Sequence, residues 1–127
     1  MTNLNITERQ KDLITILDLQ GKIRLGEGSA ELHEALRGLA ERGEKKILLN
    51  LAEVSHIDSS GLGELVSGYT TLHKTGGEIK LFHLSETIEA LMETTKLLTI
   101  FDIYDNESEA VQSFTGTTFA KSALPLS

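Results

Sequence analysis

Three times along this chain a short apolar run gives way to a segment of helical spacing, and that alternation restricts the fold more than any other feature. Lys46-Ile-Leu-Leu-Asn-Leu51 is nearly continuous in apolar side chains and bounded by charge, the pattern of a central strand covered on both faces. After Asp58 the spacing turns helical, with Leu62, Leu65, Val66, Tyr69 and Leu72 on one face and Glu64, Ser67, Thr71 and Lys74 on the other, until Gly76-Gly77. Ile79-Lys-Leu-Phe-His-Leu84 is a second such strand, and Ser85 caps a helix that turns Ile88, Leu91 and Met92 inward. Ile100-Phe-Asp-Ile-Tyr104 is the last strand. Asn106 with Glu109 then forms a variant capping box ahead of a helix carrying Ala110, Val111 and Phe114. Strands joined through helices favour parallel pairing with right-handed crossovers, so the chain is expected to be an α/β domain.

The N-terminal part adds an antiparallel element. Leu13-Ile-Thr-Ile-Leu-Asp-Leu19 alternates in polarity and is closed by Gly21, and a weaker strand, Leu4 to Thr7, is placed to pair with it as a hairpin. From Ser29 the residues Leu32, Ala35, Leu36, Leu39 and Ala40 recur at helical spacing, with Gly43 where a helix C-terminus favours positive φ. The expected fold is therefore a mixed sheet of about four to five strands with about four helices. The single proline, Pro125, and the absence of any Gly/Ser-rich linker before residue 115 place one domain at 1–114 and a C-terminal tail at 115–127.

Several functions are excluded at this level. There is no cysteine, hence no disulfide, thiolate metal site or cysteine nucleophile. Twelve Lys and Arg against nineteen Asp and Glu give a formal charge of −7, which opposes binding to nucleic acid or to an anionic membrane and favours a protein partner. No secretory leader pattern opens the chain and no apolar stretch reaches membrane-spanning length, so a cytoplasmic location is expected. His33, His56, His73 and His83 show no metal-ligand spacing, and neither a metal nor any other cofactor is expected.

The segment most informative about function is Val54-Ser-His-Ile-Asp-Ser-Ser-Gly-Leu-Gly-Glu-Leu65, between the central strand and the helix after it. In open α/β sheets ligands and partners meet the chain where strands end and helices begin. On residue chemistry alone the simplest reading is structural: Asp58 or Ser59 caps the helix, and Gly61 and Gly63 allow close backbone approach. No Gly-Lys-Ser/Thr follows, so this is no P-loop. His56, Asp58 and Ser59 crowd too closely in sequence to line up as a hydrolase triad, and Gly-x-Ser-x-Gly is absent.

Asp58-Ser59-Ser60-Gly61-Leu62-Gly63 after the strand 47–51, the Gly76-Gly77 turn before Ile79-Lys-Leu81, and Thr95-Lys96-Leu97 leading into Phe101 resemble the anti-sigma-factor antagonists built on the STAS domain. The resemblance covers roughly residues 8 to 114 and includes the order of elements. It implies that Ser59, immediately after the Asp, is the phosphorylation site, supported by Asp58, Ser60 and Gly61, with Asp58 positioning the Ser59 hydroxyl. It implies further that the chain is a binding protein and no enzyme. Unphosphorylated, it would sequester an anti-sigma factor that is also an ATP-dependent Ser protein kinase, and it would release that partner when phosphorylated. A serine phosphatase would reset the switch. The partner surface is expected to include Gly28 and Ser29 in an exposed loop before the first helix, together with Leu62, Gly63, Glu64 and Ser67. The alternative is a STAS module of a signalling scaffold or transport-associated complex without Ser59 phosphorylation. His56 departs from the aromatic or aliphatic residue common at that place in the family, and no function is assigned to it.

Overall fold

Apolar alternation on both sides of a central strand produces a five-stranded sheet in this computed structural model, which describes residues 4–114. The strands are β1 (Leu4–Lys11), β2 (Ile14–Ile23), β3 (Lys46–Ile57), β4 (Glu78–Phe82) and β5 (Ile103–Tyr104), and they lie side by side in that order. The β1–β2 pair is an antiparallel hairpin, and every later pair is parallel. The helices are α1 (Glu27–Glu41), α2 (Ser59–Lys74), α3 (Glu86–Thr94) and α4 (Glu107–Ser113), with a 3₁₀ turn at Leu97–Thr99. The mixed sheet and four helices are as expected. The proposed tail, 115–127, lies outside the described residues.

The pleat explains the two cores. Ile47, Leu49 and Leu51 of β3 point to the face covered by α1, α2 and α3, where they meet Leu32, Leu36, Leu65, Leu72, Ile88 and Met92. Leu48 points the other way, into a smaller cluster with Ile14, Ile16, Phe82, Tyr104 and Ala110 beneath α4. A strand buried on both faces must read as an apolar run, which is why 46–51 is so plain in sequence. On the α4 face Arg9 ties three elements together. Its guanidinium donates to Asp18 on β2 at 2.6 and 3.1 Å and to Glu107 in the first turn of α4 at 2.5 and 3.1 Å. Lys80, 6% exposed, donates to the Ser113 hydroxyl at 3.0 Å and lies 4.3 Å from the centre of the Phe114 ring.

Several boundaries differ from the sequence reading, each for a physical reason. β1 runs to Lys11 because the chain reverses at Asp12-Leu13. Asp12 takes φ 56°, a conformation Asp tolerates, and Leu13 is left 79% exposed at the turn. β2 continues through Gly21, which bends the strand at a register shift with φ 119° rather than ending it. β3 extends to Ile57, but past Asn50 it pairs only with β2, so its outer positions are solvated and the apolar run fades. The third apolar run contributes only Ile103 and Tyr104 to the sheet; Phe101 is buried in the connection instead, edge-on to Tyr69.

Candidate functional site

The carboxyl ends of β2 and β3 lie side by side, with Ile23 opposite Ile57, and each strand turns there into a helix. The two turns are locked to each other. Asp58 takes an extended conformation as N-cap of α2, and its Oδ1 accepts the Gly61 amide at 3.0 Å. Its Oδ2 accepts the Leu25 amide of the neighbouring turn at 3.0 Å, and its own amide donates to the Ile23 carbonyl at 3.2 Å. Those amide donors, Leu25 first and then Gly61, hold the Asp58 carboxyl below its ordinary pKa. The carboxylate is thus committed to backbone groups on both sides.

Ser59 is the first residue of α2. It is exposed, and among the described residues its hydroxyl has no hydrogen-bond partner. The expectation that Asp58 positions this hydroxyl therefore gives way to a different arrangement, in which both carboxylate oxygens serve the Gly61 and Leu25 amides. Ser60 turns inward and donates to the Ser29 hydroxyl at 3.1 Å, joining the starts of α1 and α2. Gly61 is required by packing: a Cβ there would sit 2.4 Å from the Ile23 carbonyl oxygen. The His56 ring contacts the Ser55 hydroxyl at 3.1 Å, so the His56–Ser59 relay dismissed from sequence has no geometric basis. Among the described residues no group of three or more His, Asp or Glu is placed to hold a metal.

The expected partner residues divide. Gly63 and Ser67 are exposed on α2, and Glu64 is partly exposed and bonded to His33 of α1 at 2.9 Å. Gly28, Ser29 and Leu62 lie beneath the surface, which corrects the reading of them as surface positions. Gly28 abuts the Lys22 carbonyl, Ser29 is 7% exposed against Ser60, and Leu62 joins the core. They support the edge without displaying side chains on it. The sequence reading missed Leu25, which is 79% exposed on the turn that Asp58 anchors. The only signal was a large apolar residue between Arg24 and the turn glycine Gly26.

The fold places a hairpin at the edge of a parallel sheet, helices on both faces, and an exposed serine directly after the capping aspartate of the helix that follows the central strand; in sequence, residues 5–110 match the STAS domain. The chain is 34% identical to the anti-sigma-B factor antagonist of Bacillus subtilis over 87% of its own length and 99% of that protein's. The chain belongs to the STAS-domain family of anti-sigma-factor antagonists. Among solved structures, a putative anti-sigma factor antagonist of Thermotoga maritima superposes with a TM-score of 0.71 at 27% identity, covering 85% of this chain and 92% of that one. The antagonist SpoIIAA, at 18% identity, shares the fold in its unphosphorylated form (TM-score 0.76, covering 90% and 99%) and in its phosphorylated form from Bacillus (TM-score 0.68, covering 87% and 99%).

Proposed function

We propose that this chain is an anti-sigma-factor antagonist that works by binding and not by catalysis, with Ser59 as an electrostatic gate. Unphosphorylated, it docks an anti-sigma factor through the edge formed by Ser59, the Leu25 turn and the exposed face of α2 at Gly63, Glu64 and Ser67. Its partner is also a Ser protein kinase. The γ-phosphoryl of ATP passes to the Ser59 Oγ, ADP leaves, and the hydroxyl proton is taken up by a base of the kinase or by solvent. A serine phosphatase hydrolyses the ester and restores the binding form.

The observation that carries this reading is an exposed hydroxyl, unpartnered among the described residues, on the first residue of a helix whose cap is satisfied without it. A phosphate there adds about −1.5 to −2 charges beside the Asp58 carboxylate, so repulsion and desolvation oppose docking. The helix N-terminus partly stabilises that charge. Because the Asp58 ties to Leu25 and Gly61 do not involve the Ser59 hydroxyl, the backbone has no reason to rearrange. Phosphorylated and unphosphorylated SpoIIAA, which share this fold, support such a switch here.

The test is to incubate the full chain with an anti-sigma-factor Ser kinase from the same organism and ATP, then map the added mass by peptide fragmentation. Phosphate is expected on Ser59 alone, and Ser59→Ala should abolish it while retaining partner binding. Modification elsewhere, or none, favours the scaffold role over the switch.

A further inference from the structure

On the face of the sheet that carries α1, an open groove of about 580 Å³ runs between that helix and the edge strand β1, one turn away from the Leu25 loop. We propose that it receives a basic amphipathic helix of a protein partner, a contact separate from the Ser59 edge. Its floor is apolar: Ile6 and Leu17 come from the sheet, and Ala30 and Ala35 from the helix wall. Small side chains on this stripe of α1 leave Ile6 only half-buried above Leu17, which is itself sealed in the core, whereas the opposite stripe carries Leu32, Leu36 and Leu39 inward.

Two further observations specify the occupant. Gly38 continues the wall in the helix interior, where glycine weakens a helix relative to alanine, and a Cβ there would meet nothing within 4 Å. Among the described residues nothing requires that glycine. It does allow another backbone to approach α1 closely, as small residues do where helices cross. The rim is acidic. Glu27 and Glu31 have no cationic partner among the described residues, Glu34 is shared with Arg37, and Glu8 is paired with Arg42, the one cation lining the groove. An apolar channel rimmed by carboxylates complements a helix that carries an apolar stripe flanked by Lys and Arg.

The experiment is an amide NMR titration of the full chain with a synthetic peptide of about five helical turns, bearing a Leu stripe flanked by Lys and Arg. Shifts are expected at Ile6, Leu17, Ala30, Ala35 and Gly38, with affinity falling as salt rises. Gly38→Leu should weaken binding at least about tenfold, and Glu27→Lys with Glu31→Lys at least about fivefold. Circular dichroism should confirm that each variant is folded. Ser59→Ala should leave the titration unchanged, which separates this contact from the gate. Unmoved groove amides, or equal shifts from a peptide with Glu in place of Lys and Arg, would overturn the proposal. So would groove shifts that grow with protein concentration in the absence of peptide, because they would assign the groove to a second copy of this chain.

Discussion

Gly61 and Gly63 stand two residues apart in the same helix, both with helical backbone, yet the structure assigns them opposite responses to an added methyl group. At Gly61 a Cβ would lie 2.4 Å from the Ile23 carbonyl oxygen, 2.8 Å from Ile23 Cγ2 and 3.0 Å from Ile57 Cγ2. The nearest atom is backbone at the end of β2, so relief needs a shift approaching an ångström between α2 and the strand. That shift would pull on the hydrogen bond from the Asp58 amide to the Ile23 carbonyl and on the Leu25 tie. Overpacking of this kind costs about 1–3 kcal/mol, against the roughly 0.5–1 kcal/mol that alanine gains over glycine in a helix. The net for Gly61→Ala is a loss of up to about 2.5 kcal/mol, centred on roughly 1 kcal/mol. At Gly63 an added Cβ would meet nothing within 4 Å among the described residues beyond its own helix, so Gly63→Ala keeps the helical gain of about 0.5–1 kcal/mol. Urea titrations followed by circular dichroism measure both, since the midpoint shifts while the slope stays constant. A stabilising Gly61→Ala, or a destabilising Gly63→Ala, would refute the reading of Gly61 as the contact that seats α2 on the sheet.

The Arg9 cluster sets an acid limit on stability. The Arg9 guanidinium holds both the Glu107 and Asp18 carboxyls below their ordinary values, 4.5 and 3.8. Groups with depressed folded pKa contribute stability that is complete above their unfolded values and lost as pH falls through the folded ones. Stability should therefore be insensitive to these groups near neutrality and decline below about pH 4.5. Arg9→Met should cost about 1 kcal/mol at pH 7, allowing for solvent screening at a partly exposed site, and should flatten that decline in pH-dependent urea melts. Lys80→Met keeps the stem in its apolar site and should stay within about 1 kcal/mol of wild type, whereas Lys80→Glu should cost about 3 kcal/mol or more by thermal or urea denaturation. Ser60→Ala leaves the buried Ser29 hydroxyl without its partner and should cost about 1–2 kcal/mol, while the proposed phosphorylation of Ser59 stays intact in a mass assay.

Legibility in the sequence followed how strongly burial constrained each segment. Ile47, Leu48 and Leu49 were unmistakable because two helical layers enclose them, and Asp58 and Ser85 announced helix starts because few residue types can cap. The second half of β3 was obscure because beyond the end of β4 its outward residues Glu53, Ser55 and His56 face solvent, leaving only Val54 and Ile57 as signal. Lys96 in a left-handed conformation and the 3₁₀ turn after it shortened the last strand, since an apolar run does not disclose whether it pairs or merely packs. At the site, residue types identified the edge but not its orientation. Leu62 shares a stripe with Leu65 and Leu72 and turned inward with them, Ser29 found Ser60, and the outward Leu25 depended on a tie between two loops 33 residues apart.

Calorimetric titration of the proposed anti-sigma-factor kinase with this chain in its unphosphorylated and stoichiometrically Ser59-phosphorylated forms bears most directly on the proposed gate. The phosphorylated form should bind at least about tenfold more weakly, with the difference shrinking as salt rises and amide spectra changing only near residues 25 and 58–61. Equal affinity of the two forms, or a loss of binding accompanied by unfolding of α2, would contradict the account.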